Sequence, residues 1–183
     1  IDPHLAAENL PRIIKHAVVD PLAVVTTVNL ICVDYADYSV RFDDSQINYV
    51  SFGCASGAGK AEKALEQALY NPLLGQPDQL RNASGIFVVI TTYNHLSIEE
   101  FNAIGSSLAE EIDNSEERVI ISVLSPDPTY PDDYLTVSII ATSPKTIIDP
   151  FKRTKYTRPW VCPSPLSHRI QPVIHPLSSP PIN

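Results

Sequence analysis

Gly85-Ile86-Phe87-Val88-Val89-Ile90-Thr91-Thr92 is an unbroken apolar, β-branched run, and its reading decides the fold. Without polar alternation it predicts a central strand covered on both faces. Downstream, Ser97-x-x-Glu100 is a capping box that opens a helix to about Ile112, with Ile98, Phe101, Ile104 and Leu108 on one face. Residues 119–124 predict another apolar strand, ended by Ser125-Pro126-Asp127-Pro128. Residues 134–142 predict the last, with Leu135, Val137 and Ile139 alternating with Thr136 and Ser138. Upstream, residues 47–54 read as a strand leading into the glycine turn 53–59. Lys60–Leu69, rich in Ala, Glu, Lys and Leu, is a helix halted by Asn71-Pro72. Residues 5–28 carry a helical apolar pattern (Ile13, Ile14, Ala17, Val18, Leu22, Val25). The pattern reads as interrupted at Pro11 and restarted at Asp20-Pro21, an N-cap followed by a first-turn proline. The fold class is therefore α+β: a long entry helix, then a roughly four-stranded mixed sheet with helices packed on it.

The chain has 183 residues, 44% of them apolar and 19% charged, which suits one packed domain and excludes global disorder. The net charge of −8 is unevenly spread. Residues 1–149 hold all 21 acidic residues and 8 of the 13 Lys and Arg, a balance of −13 that argues against a nucleic-acid surface. Residues 150–183 hold five basic residues, no acid and 8 of the 17 prolines, a density that leaves extended, poorly packed chain. The domain is expected to end between Pro144 and Pro150, with a basic, Pro-rich tail after it. No apolar run approaches the ~20 residues of a transmembrane helix. The absence of any methionine reads as a piece of a longer protein. Three widely spaced cysteines (Cys32, Cys54, Cys162), with no C-x-x-C pair, support neither a zinc site nor a disulfide framework and point to a reducing compartment.

Local motifs are sparse. Ser56-Gly57-Ala58-Gly59-Lys60 falls short of a phosphate-binding loop: Cys54 stands where the first Gly belongs, and Ala61 where Ser or Thr belongs. Asn82-Ala83-Ser84 fits a glycosylation triplet, common by chance. His168 and His175 lack metal-ligand spacing. Asp34 and Asp37 stand i, i+3 at a helix start, both carboxylates on one face near the positive end of the helix dipole. On spacing alone they are a cap and a first-turn acid.

Collinear segments over about residues 10–143 change that reading. They are Leu30-Ile31-Cys32-Val33-Asp34-Tyr35-Ala36-Asp37, Gly57-x-x-Lys60-Ala61-Glu62-Lys63-Ala64 and Asn71-Pro72-Leu73-Leu74. They continue through Ala83-Ser84-Gly85-Ile86-Phe87-Val88, Glu99-Glu100-Phe101-Asn102-Ala103-Ile104-Gly105 and Val119-Ile120-Ile121-Ser122. Asp132-Asp133-Tyr134-Leu135-Thr136-Val137 closes the series. The whole resembles the C-terminal half of FtsZ, the tubulin-like GTPase family of bacterial cell division, in divergent form. The first segment resembles the family's synergy loop.

The resemblance implies an organisation: residues 1–28 as the end of the central helix, 29–149 as the C-terminal domain, and 150–183 as the tail. It implies a shared active site. GTP and Mg are bound by a nucleotide-binding domain that this chain does not contain, so the chain alone is expected to bind no cofactor. The acidic loop of the next subunit closes over the γ-phosphate in a head-to-tail filament. By carry-over the catalytic residues are Asp34 and Asp37, with Cys32 at the family's Asn position, where a thiol is a weaker hydrogen-bonding group than an amide. The implied partners are other FtsZ-like subunits, and division proteins through the tail. The implied location is the cytoplasm at the division site. Two alternatives remain beside it: a non-hydrolysing paralogue that binds filaments, and a free-standing α+β ligand-binding module.

Overall fold

A computed structural model describes residues 10–41, 46–71, 74, 77–94, 96–112, 118–126 and 133–144. The tail 150–183 and the expected domain end lie outside the described residues.

The elements in chain order are α1 (Asp20–Thr26), α2 (Tyr35–Arg41), β1 (Gln46–Ser56), α3 (Lys60–Leu69), α4 (Pro77–Arg81), β2 (Gly85–Thr92), α5 (Ile98–Glu111), β3 (Val119–Val123) and β4 (Tyr134–Pro144). They build the mixed α+β sheet expected from the sequence, in the order β1-β4-β2-β3. β4 is antiparallel to both β1 and β2, while β2 and β3 run parallel. The parallel pair needs a crossover, and α5 supplies it.

β2 is central, and alternate residues serve opposite faces. Ile86, Val88 and Ile90 join Leu65, Ile104, Leu108 and Leu135 on the side of α3 and α5. Phe87 and Val89 join Val24, Leu124 and Ile140 on the side of α1, with Val33 and Tyr38 packed against them. That double burial is why the strand reads as continuously apolar. α5 begins at the expected capping box: Ser97 Oγ accepts from Glu100 N at 3.1 Å, and Ser97 N donates to Glu100 Oε2 at 3.0 Å. α3 sits unusually close to β1 because Gly53 has no side chain; a Cβ there would lie 2.1 Å from Ala64 O.

The entry helix departs from expectation. Residues 10–14 are helical with Pro11 among them, and the chain passes through a π-helical turn, Lys15–Val19, into α1 without a break. Val19 is itself helical and makes no side-chain cap. Asp20 is therefore not an N-cap; its N–H bonds to Lys15 O, five residues back. Pro21 has no N–H to give the carbonyl four residues earlier, and the wider π turn absorbs that loss. The short helix α4 has no counterpart in the sequence reading.

Candidate functional site

The segment between α1 and α2 carries Cys32 and Asp34, Asp37 follows in the first turn of α2, and the start of the segment is bonded to both α1 and β3. At the helix end, Thr27 turns to extended backbone, and its Oγ1 lies 2.7 Å from Ala23 O and 2.9 Å from Asn29 Oδ1. Asn29 is buried and donates Nδ2 to Val24 O at 2.7 Å. At the sheet end, Leu30 N and Ile31 N donate to Val123 O at 2.9 and 3.2 Å. An antiparallel bridge pairs Ile31 with Val123. Ser122 Oγ donates to Ile31 O at 2.8 Å, and Ser125 Oγ to Val28 O at 2.5 Å. These bonds anchor residues 27–31 to α1 and β3.

Asp34 directly precedes α2, and its Oδ1 accepts from Ala36 N at 3.2 Å while Tyr38 N donates to Asp34 O at 3.0 Å. It is an N-cap. Asp37 stands in the first turn, and both carboxylates are exposed. Among the described residues neither forms an ion pair. Cys32 is a free, exposed cysteine whose Sγ donates to Asn29 O at 3.3 Å, turned back into its own loop. α2 is seated by Tyr38, which meets Phe87 edge-on at 5.8 Å. The structure thus places Cys32 and Asp34 on the exposed loop and Asp37 in the first turn of the helix that Asp34 caps.

The glycine turn before α3 has a different use. Gly57 N donates to Asp133 Oδ2 at 2.8 Å, and Lys60 Nζ pairs with Asp133 Oδ1 at 2.6 Å and Glu100 Oε1 at 3.3 Å. The hydrogen bond and charge of Lys60 hold Asp133 below its ordinary value. The turn and its lysine grip a carboxylate of this chain, so these residues do not fit a nucleotide phosphate. No group of three or more His, Cys, Asp or Glu side chains that could hold a metal occurs among the described residues. No helix among them is long and apolar enough to cross a membrane.

One polar cluster was not foreseen. His16 and Asp20 are both buried beneath the entry helix, His16 Nδ1 lying 2.7 Å from Asp20 Oδ2. Ser138 Oγ, from β4, lies 3.2 Å from the same ring nitrogen and 3.4 Å from Asp20 Oδ2. Lys15 Nζ reaches Asp20 Oδ1 at 2.8 Å. Serine, histidine and aspartate meet here, yet a relay needs the serine on one ring nitrogen and the carboxylate on the other. Here both share Nδ1, so the group is a carboxylate ringed by donors. Burial keeps His16 below its ordinary pKa despite Asp20. Burial alone would raise Asp20, but the bond from His16 and the charge of Lys15 outweigh it and hold the carboxylate low. The only sequence signal was a lone acid at i+4 from a histidine inside an apolar helical pattern.

Comparison with known proteins follows the same outline. A family model described as the C-terminal domain of the FtsZ family matches residues 47–145. The cell division protein FtsZ of Haemophilus influenzae is 35% identical over 145 residues, 78% of this chain and 33% of that protein. FtsZ of Buchnera aphidicola from Schizaphis graminum is 32% identical over 142 residues, 78% of this chain and 35% of that protein. The chain thus spans about a third of the length of these curated relatives. Among solved structures, an empty FtsZ dimer of M. jannaschii superposes with a TM-score of 0.64 at 20% identity, over 78% of this chain and 40% of that one. The sheet order, the covered central strand and the family match converge, and the chain belongs to the FtsZ family, whose C-terminal domain it carries at residues 47–145.

Proposed function

We propose that this chain supplies the acidic-loop side of a head-to-tail contact between FtsZ subunits, where Asp34 and Asp37 enter the GTP site of the neighbour. Exposed apolar side chains close in sequence to the two carboxylates support this reading: Val28 is 86%, Tyr35 68% and Leu30 57% exposed, and the start of the loop is bonded to β3. An anchored loop with uncovered apolar side chains near acids suits a protein contact. The contact is heterologous, so it extends into filaments.

Phosphoryl transfer to water is governed by positioning and electrostatics. The chemistry supplied by GTP and Mg belongs to the neighbouring subunit's nucleotide-binding domain. On this side Asp34 and Asp37 orient and polarise the attacking water. Asp34 can cap α2 and serve this role together, since a carboxylate has about four lone-pair sites and the cap uses one. The half-exposed stripe Leu10, Ile14, Val18 and Leu22 on the entry helix suits the packing of that nucleotide-binding domain within a complete protein. The basic residues 150–183 are the proposed contact for other division proteins, which would place the protein in the cytoplasm at the division site. A second reading draws support from Cys32, whose Sγ donates into its own loop: a filament-binding relative with weak hydrolysis.

Adding this chain in substoichiometric amounts to polymerising H. influenzae FtsZ tests the contact. Light scattering should fall, because the chain offers one polymer surface without the other. Leu30→Ala and Tyr35→Ala should relieve the effect. An unchanged signal at equimolar ratio overturns the proposal. Calorimetry with GTP and magnesium should show no binding to the chain alone. In a fusion to a compatible GTP-binding half, Asp34→Ala or Asp37→Ala should cut phosphate release by roughly 10²–10⁴-fold with GTP affinity nearly unchanged. Cys32→Asn should raise phosphate release, and an unchanged rate would remove the basis of the second reading.

A further inference from the structure

The entry helix is softest where Lys15–Val19 is π-helical and Pro21 follows. A π turn breaks the i→i−4 ladder, and proline withholds a further donor, so the backbone alone fixes neither the tilt nor the rotation of α1 at this junction. At that point the side-chain cluster is buried: Asp20 is 2% exposed, His16 3% and Ser138 1%. Lys15, His16 and Ser138 all converge on one carboxylate, and Ser138 belongs to β4 in the middle of the sheet. The ring of His16 also packs, tilted by 31°, against Phe52 of β1, centroids 4.3 Å apart.

We infer that Asp20 is a positioning residue: its buried carboxylate, gathering Lys15, His16 and Ser138, locks the helix on the sheet and so sets where the loop 27–34 presents Asp34 and Asp37. Seven residues of α1 form a lever of about 10 Å at 1.5 Å per residue. A tilt of about 10° at the junction would shift its far end by roughly 2 Å, and a misplacement of about 1 Å can cost 10²-fold at a reacting centre. The shift reaches the loop directly, because Asn29 is bonded to Val24 of the helix and Thr27 to Asn29. In terms of catalysis the inference rests on the reading of Asp34 and Asp37 given above; as a statement about loop placement it stands apart from it.

Residue-resolved amide hydrogen exchange on the chain as it is, for wild type, Asp20→Ala, Asp20→Asn and Ser138→Ala, tests the lock. Asp20→Ala should speed exchange at Leu30 and Ile31, whose N–H groups bond to Val123 O, on the order of tenfold or more. The amides of β2 and α5 should remain as in wild type. Asp20→Asn keeps an oxygen acceptor and should restore part of the protection, and Ser138→Ala should give the smallest change. Uniform acceleration across β2, α5 and the loop would mark Asp20 as a general stability residue and overturn the inference, as would an unaltered loop. If Asp20→Ala does not fold, Ser138→Ala decides alone: accelerated exchange confined to the loop supports the lock, and no local change overturns it. The scattering assay is read separately. Failure of wild-type chain to cap filaments removes the proposed contact, and the exchange pattern still decides the lock.

Discussion

Replacing Gly53 by alanine tests the packing of α3 on β1 at its tightest point. The new Cβ would lie 2.1 Å from Ala64 O, 2.6 Å from Ala68 N and 2.7 Å from Gln67 Cβ. Two of these neighbours are backbone, so no rotamer change can clear them. Bringing the nearest contact to about 3.0 Å requires α3 to retreat by about 0.9 Å. A gap of roughly 0.5–1 Å forfeits a quarter to a half of each dispersion contact. The helix loses these across Ala61, Ala64, Leu65 and Ala68, all buried. A cost of about 3 kcal/mol or more follows, comparable to a large-to-small core truncation, with a fall of roughly 10 °C in thermal midpoint. Gly105 provides the control within the same chain: it lies inside α5, and a Cβ there meets nothing within 4 Å. Gly105→Ala should gain about 0.5–1 kcal/mol from helix propensity and reduced unfolded-state entropy. Urea denaturation of the two variants beside wild type should therefore move the midpoint in opposite directions. If Gly53→Ala stays within about 0.5 kcal/mol of wild type, or the two variants fall together, the close approach of α3 to β1 is wrong.

Stability should fall on acidification in two steps. His16 is held below 6.5 when folded, so the unfolded chain takes up its proton first and stability declines as pH drops below that value. Asp20 is held below 3.8, and its contribution is lost as pH falls through the folded value. Thermal midpoints across pH, with His16→Gln flattening the upper step, check the assignment. Ser97→Ala should cost about 0.5–2 kcal/mol by removing the cap of α5, and amide exchange should locate the fraying in its first turn. Asp133 sits at φ 60°, which asparagine tolerates well; Asp133→Asn should therefore keep the Gly57 turn while leaving Lys60 paired with Glu100 alone, and Lys60 should then titrate lower by NMR.

Legibility tracked how local the deciding interaction is. β2, α3 and α5 were readable because their signals lie within one element: double-sided apolar content at 85–92, strong helix formers at 60–69, and the Ser97–Glu100 box. The α+β sheet followed from them. The order of strands was not readable, because β1 finds its partner in β4 through pairs such as Gln46 with Pro144, set by the whole topology. The restart at Asp20 was misread for a similar reason. Asp-Pro is a good cap signature, but a serine 118 residues away, together with Lys15 and His16, draws the carboxylate inward. The acidic loop was legible as sequence. Its fixation by Val123, Ser122 and Ser125 was not, since those contacts cross from a distant strand.

The strand order also dictates when this domain can fold during synthesis. Among the described strands β4 is the last made, yet it occupies an inner position between β1 and β2. Ser56 ends β1 and Pro144 ends β4, so 88 further residues must be added before the sheet can close. At about 5–20 residues per second, β1 waits roughly 4–18 s on the ribosome without β4, its one strand partner among the described residues. Over that interval Phe52 and Val50 stand on an unpaired edge, the kind of surface that chaperones hold and that neighbouring nascent chains can pair with. α3 can shield one side early, because its contacts with β1 are close in sequence. Closure itself must bring together ends nearly a hundred residues apart, which places the domain among slow, high-contact-order folders.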